Sequence, residues 1–98
     1  MNRLNERIAA LKRVYYVTAD DYAVGDGGRE YDWSGSIADA WELWREMIDN
    51  GHSLFVGQHR SLLRVTVTRD GEEIAEISTA GDVAEAIAAA YLAAMEKA

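Results

Sequence analysis

"SIADAWELWREMIDNG", residues 36–51, decides how the whole chain is read. Ile37, Ala40, Trp41, Trp44, Met47 and Ile48 recur at i, i+3, i+4, i+7, i+10 and i+11, the spacing of one apolar stripe on a helix. Asp39, Glu42, Arg45, Glu46 and Asp49 take the other side. Ser36 supplies the N-cap, Asp39 puts a carboxylate in the first turn, and Asn50 with Gly51 supplies a left-handed stop. The stripe predicts a helix with Trp41 and Trp44 in the core, where each would bury on the order of 200 Å².

Toward the C-terminus, residues 52–78 predict a three-stranded meander. "HSLFVG" and "LLRVTVTR" are joined by a "QHRS" turn, and "DG" at 70 and 71 joins the second strand to "EEIAEIS". Leu63, Val65 and Val67 alternate with Arg64, Thr66 and Thr68, so one sheet face is apolar and the other polar. A last helix begins after Thr79, with Thr79 and Asp82 as its capping pattern. Val83, Ile87, Ala90, Tyr91, Ala94 and Met95 form its apolar face.

Toward the N-terminus, "ADDYAVGDGGREYDWSG", residues 19–35, predicts a mobile polar loop, because "GDGG" costs a helix too much backbone entropy. Before it, Leu4, Ile8 and Leu11 mark a helix over 3–13 with Asn2 as N-cap. "VYYVT", residues 14–18, is a β-branched and aromatic strand, or else a continuation of the helix to Tyr15. The fold expected is one α+β domain over residues 1–98. It has an antiparallel three- to four-stranded meander with helices packed on it, in the order α(β)αβββα.

Composition narrows the chemistry. The chain has 98 residues, 49% hydrophobic and 28% charged, a globular balance rather than a disordered one. It has no cysteine, which excludes disulfides, thiolate metal sites and a cysteine nucleophile. No apolar run approaches a membrane span, and the N-terminus lacks the apolar run of a secretory leader, so a cytoplasmic protein without membrane contact is expected. The net charge is −7 and is unevenly placed. Residues 14–50 carry nine acids against Arg29 and Arg45, while residues 51–69 carry Arg60, Arg64 and Arg69 and no acid. An acidic surface disfavours direct nucleic-acid binding. The blocks serve solubility, or an acidic face that meets a basic partner.

Catalytic patterns are not apparent. His52 and His59 lack metal-ligand spacing and are expected in solvent. "DD" with "GDGG" lacks the D-x-D-x-D-G spacing of a calcium loop, and "GDGG" lacks the G-K-[ST] of a phosphate loop. Ser34, Ser36, Ser53, Ser61 and Ser78 have no nucleophile-elbow context. The expectation is a non-enzyme without cofactor or metal.

Residues 31–52, "YDWSGSIADAWELWREMIDNGH", and residues 75–98, "AEISTAGDVAEAIAAAYLAAMEKA", resemble the phage α-β-α sandwich domain of small phage and prophage proteins. In that family a tyrosine and a Ser/Thr-rich turn precede an I-x-x-A-W helix, and a strand with an alanine-rich helix closes the chain. The resemblance covers roughly residues 31–98 and implies a phage or prophage origin and a helix–sheet–helix build. The segment "DDYAVGDGGRE" has no counterpart in it. The family offers no established activity, so it carries no functional residue over.

Three functional readings follow. In the first, Asp20, Asp21, Tyr22, Asp26 and Glu30 bind a host protein or protein–nucleic-acid complex. The chain then inhibits a host defence complex by covering a basic nucleic-acid site, as an anti-CRISPR does. Tyr22 is an interface residue or a sheet-edge seal, and Trp33 seals the entry to the second helix. In the second reading, Arg60, Arg64 and Arg69 clamp a nucleotide signal that the protein sequesters. In the third, the alanine-rich last helix pairs across a two-fold axis in a homodimer.

Overall fold

Residues 3–96 are described by a computed structural model. Helix α1 (Leu4–Lys12) is followed by strands β1 (Tyr15–Val17), β2 (Tyr22–Val24) and β3 (Glu30–Tyr31), then by helix α2 (Ile37–Asp49). Strands β4 (His52–His59), β5 (Leu62–Arg69) and β6 (Glu72–Thr79) come next, and helix α3 (Val83–Glu96) closes the order. The class is α+β, with two antiparallel three-stranded sheets, β1-β2-β3 and β4-β5-β6. The helix-capping role of Asn2 falls outside the described residues.

The larger sheet follows its sequence pattern. Asp70 and Gly71 both adopt positive φ, 54° and 82°, as a type I′ hairpin turn requires. Val65 and Val67 on β5 are fully buried, while Arg64 on the opposite face is exposed. Val67 pairs with Ala75 but Thr68 pairs with Glu73, so Ile74 is the extra residue of a bulge in β6. Helix α3 covers the inner face. It touches β5, β6, α2 and α1, and eight of its residues are buried, among them Ile87, Tyr91, Leu92 and five alanines. Small side chains let these neighbours approach closely on several sides at once.

Four expectations change. Residues 19–35 are not a loop: β2 and β3 pair there, and β1 pairs with β2 with Val17 opposite Tyr22. Tyr15–Val17 satisfies the backbone of Tyr22–Val24, and the glycine turn closes on itself, the Gly25 N–H donating to the Arg29 carbonyl oxygen at 2.8 Å and the Gly28 N–H to the Gly25 carbonyl oxygen at 3.1 Å. Tyr15 belongs to β1, since Arg13 turns the chain out of α1 with φ 58°.

The second change concerns the tryptophans. Helix α2 buries Ala40, Leu43 and Met47, whereas Trp41 is 50% exposed and Trp44 is only partly buried. The helix is rotated so that Leu43, outside the predicted stripe, points inward. The core tryptophan is Trp33, 2% exposed, contributed by the segment read as a loop.

Third, helix α3 is capped by Asp82 alone, whose Oδ1 accepts the Glu85 N–H at 2.9 Å. Thr79 ends β6 and accepts the Gly81 N–H at 3.0 Å. Fourth, His52 is buried. Its Nδ1 lies 3.2 Å from the Met47 carbonyl oxygen, tying the start of β4 to the end of α2.

Candidate functional site

The acidic segment is held by one side chain. Asn5, on α1, is completely buried. Its Nδ2 donates to the Asp21 carbonyl oxygen at 2.9 Å and to Asp32 Oδ1 at 2.7 Å, and its Oδ1 accepts the Ser34 N–H at 2.9 Å. Both ends of the segment are thereby tied to the same residue, with both amide hydrogens and the amide oxygen engaged. Asp32 is held further. Its Oδ1 accepts the Gly35 N–H at 3.1 Å, and its own N–H donates to Asp39 Oδ2 at 2.8 Å, in the first turn of α2. The segment is thus a platform whose backbone is clamped near both ends.

Those acids divide between two ends of the small sheet. Asp20 and Asp21 lie in the β1–β2 turn, where Asp21 adopts φ 53°. Asp26 lies past the other end of β2, and Glu30 pairs across from Val24 at that same end. The three residues of β2 separate the two groups by roughly 10 Å. Tyr22, within β2, is half-buried. Asp21 accepts the Tyr16 hydroxyl at 2.6 Å, and this hydrogen bond to a carboxylate, with a smaller contribution from burial, pushes the Tyr16 phenol up to about 12.

Several acids on the helices are charge-paired, whereas Asp49 and Glu85 enter no ion pair among the described residues. Glu6 pairs with Arg3 at 3.0 Å, Glu96 with Arg7 at 2.7 Å, Glu46 with Lys12 at 2.5 Å and Glu42 with Arg29 at 2.8 Å. Asp20, Asp26 and Glu30 are exposed and enter no ion pair among the described residues. Asp21 is likewise exposed and outside any ion pair among the described residues, its carboxylate accepting only the neutral Tyr16 hydroxyl, so four of the five predicted partner-binding residues present charge without a paired cation.

A cleft of about 320 Å³ adjoins Asp26, between the end of α1, the small sheet and α2. Tyr31 and Trp33 stack along it with ring centroids 5.2 Å apart, and the Arg29 guanidinium lies 4.6 Å from the Tyr31 ring. At its base Glu46 receives both Lys12 and the Tyr91 hydroxyl. Burial first, then this hydrogen bond, raises the Tyr91 phenol well above its ordinary value. Sequence reading gave no sign of this junction, because Lys12, Glu46 and Tyr91 lie on three different helices.

The arginines do not converge. Arg60 occupies the β4–β5 turn at φ 57°, Arg69 ends β5, and Arg64 stands between them on the outer face with Glu76 at 3.5 Å. Five residues separate Arg64 from Arg69, so strand alternation places them on opposite faces. Among the described residues no three His, Asp or Glu side chains gather as metal ligands would, and no helix is long and apolar enough to cross a membrane.

A second surface was read as core. Trp41, Trp44, Arg45, Ile48 and Asp49 line an open groove on α2, with the Trp41 and Trp44 rings 5.1 Å apart and inclined at 53°. Comparison with protein-family models, with curated proteins and with solved structures gives no match for this chain.

Proposed function

We propose that this protein is a non-enzymatic binding protein whose small sheet engages a basic surface of another protein. The observation that carries the reading is the exposed, unpaired set Asp20, Asp26 and Glu30 on a platform clamped by Asn5. Like charges steer an oppositely charged partner and set register, and a clamped backbone lowers the ordering cost of binding. A protein surface rich in Lys and Arg is the complement, and a surface that handles nucleic acid has that character. Covering it inhibits that partner. The likeness of residues 31–98 to a phage domain supplies the setting: a phage-encoded inhibitor of a host defence complex, acting like an anti-CRISPR inside the host cytoplasm.

The test is capture from a bacterial host lysate at low and high salt, with wild type beside the triple variant D20K/D26K/E30K. Wild type should retain a nucleic-acid-handling protein that elutes as salt rises, and should lower that protein's affinity for nucleic acid. The triple variant should retain at most a tenth as much, since reversing three rim charges turns attraction into repulsion. Equal retention by the triple variant would remove the acidic platform from the interaction.

A further inference from the structure

Helix α2 carries an apolar stripe that the fold leaves uncovered. Ile37, Trp41 and Ile48 are 45%, 50% and 47% exposed, and Trp44 lies between them, partly buried. Single exposed apolar residues are ordinary, but two tryptophans and two isoleucines along one helix face make a continuous patch of the kind that marks an interface. The charges beside it have a particular pattern. Arg45 and Asp49 are both exposed and neither enters an ion pair among the described residues, although they stand one turn apart on the same helix.

We propose that this face pairs with the same face of a second copy of the chain, the two α2 helices running antiparallel about a two-fold axis between Trp44 and Arg45. In that register Trp41 of one copy meets Ile48 of the other, at both ends of the contact. Side chains on a helix lean toward its N-terminus. In an antiparallel pair, Arg45 therefore leans toward the C-terminal end of the facing helix, where Asp49 stands. The two-fold makes this contact twice, so each copy supplies the cation for the anion of the other. A basic partner would leave Arg45 opposed by like charge; a second copy satisfies both Arg45 and Asp49.

The patch is small. Half-exposed tryptophan and isoleucine side chains along 12 residues contribute a few hundred Å² per copy, below the roughly 800 Å² per partner of a standard stable interface. The dimer is accordingly weak and concentration-dependent. The net charge of −7 on each copy adds long-range repulsion, which salt screens. Raising salt therefore leaves the dimer intact or strengthens it, the opposite of its effect on a basic partner held by Asp20, Asp26 and Glu30.

Sedimentation equilibrium on the full chain tests this, from about 10 µM to about 1 mM, a range that spans weak association. The average mass should climb from 10.9 kDa toward twice that value. W41E should remain monomeric with an unchanged far-ultraviolet circular dichroism spectrum. R45D and D49R should each weaken association about tenfold, and R45D/D49R should restore it, because the swap recreates the same two pairs. A wild-type chain that stays monomeric throughout overturns the proposal, as does a dimer that R45D and D49R leave unchanged. If Trp41 proves necessary for binding a different protein by a chain that never self-associates, the face belongs to that partner instead. Lysate capture by W41E that matches wild type would show the platform and the α2 face acting independently.

Discussion

Helices α2 and α3 are of nearly equal length, yet only α3 sits where its sequence alone would place it. Helix α2 segregates its apolar residues sharply, and yet it buries only Ala40, Leu43 and Met47 and turns Trp41 outward. Helix α3 is apolar nearly all round and sits at the centre, between the larger sheet and the other two helices. A helix that is apolar on every side must be buried, because no face of it suits water. A sharply two-sided helix has one face for something apolar, but nothing in its own sequence says that this something is its own core. Ala86, Ala88, Ala90 and Ala94 of the alanine-rich helix are fully covered within one chain, while Val83 is exposed and Ala89 and Ala93 are partly buried.

The largest effect expected to break or confirm this contrast is at Trp33. W33A should cost about 4 kcal/mol, on the order of 20 °C in Tm for a domain of this size. Ile87→Ala in α3 should follow at about 3 kcal/mol. Trp41→Ala should cost about 1 kcal/mol or less, chiefly its contact with Trp44. Denaturant unfolding of the three variants measures all of this. If W41A proved as damaging as W33A, α2 would be a core helix after all.

Polar contacts test how α2 and the acidic platform are held. Asn5→Leu keeps approximate volume but strips partners from the Asp21 carbonyl, the Asp32 carboxylate and the Ser34 N–H; a loss of roughly 2–3 kcal/mol is expected. Amide exchange should rise across residues 19–35 before it rises in β4–β6.

A similarly small effect is expected at Tyr91, whose hydroxyl donates to Glu46 and joins α3 to α2. Y91F should cost about 1 kcal/mol at neutral pH. The folded phenol titrates above the unfolded one. Its contribution is therefore fully present below the unfolded value of about 10 and fades as pH rises through and beyond it. Wild-type stability should fall more steeply above pH ~10 than that of Y91F. In an absorbance titration of the native protein, Tyr16 and Tyr91 should ionise late. Equal alkaline slopes for wild type and Y91F would remove Tyr91 from the junction.

The legible parts of the sequence were those whose determinants are local. Ser36 caps α2, with its hydroxyl accepting the Asp39 N–H at 3.4 Å, and Gly51 ends it at φ 88°. Asp70–Gly71 turns the β5–β6 hairpin, and the alternation along β5 fixes which side chains face in. The exposure of Asp20, Asp26 and Glu30 was equally legible, because an unpaired carboxylate has little reason to leave water. Their division between two ends of a sheet was not, since it depends on β2, and a three-residue strand shows itself only through its partners.

The sequence by itself determined the α+β class, the order of the long elements, the larger sheet and the acid-rich character of residues 19–35. Caps, turns and side-chain period act within a few residues and need no distant information. Tertiary structure alone decided that Trp33 rather than Trp41 enters the core, that Asn5 clamps the acidic segment, that Lys12, Glu46 and Tyr91 meet, and that an apolar face of α2 is left open. Each of these depends on which surfaces, far apart along the chain, come to cover one another. Apolar burial is non-directional, so a stripe of tryptophan and isoleucine fits a core and an interface equally well until the rest of the chain takes its place.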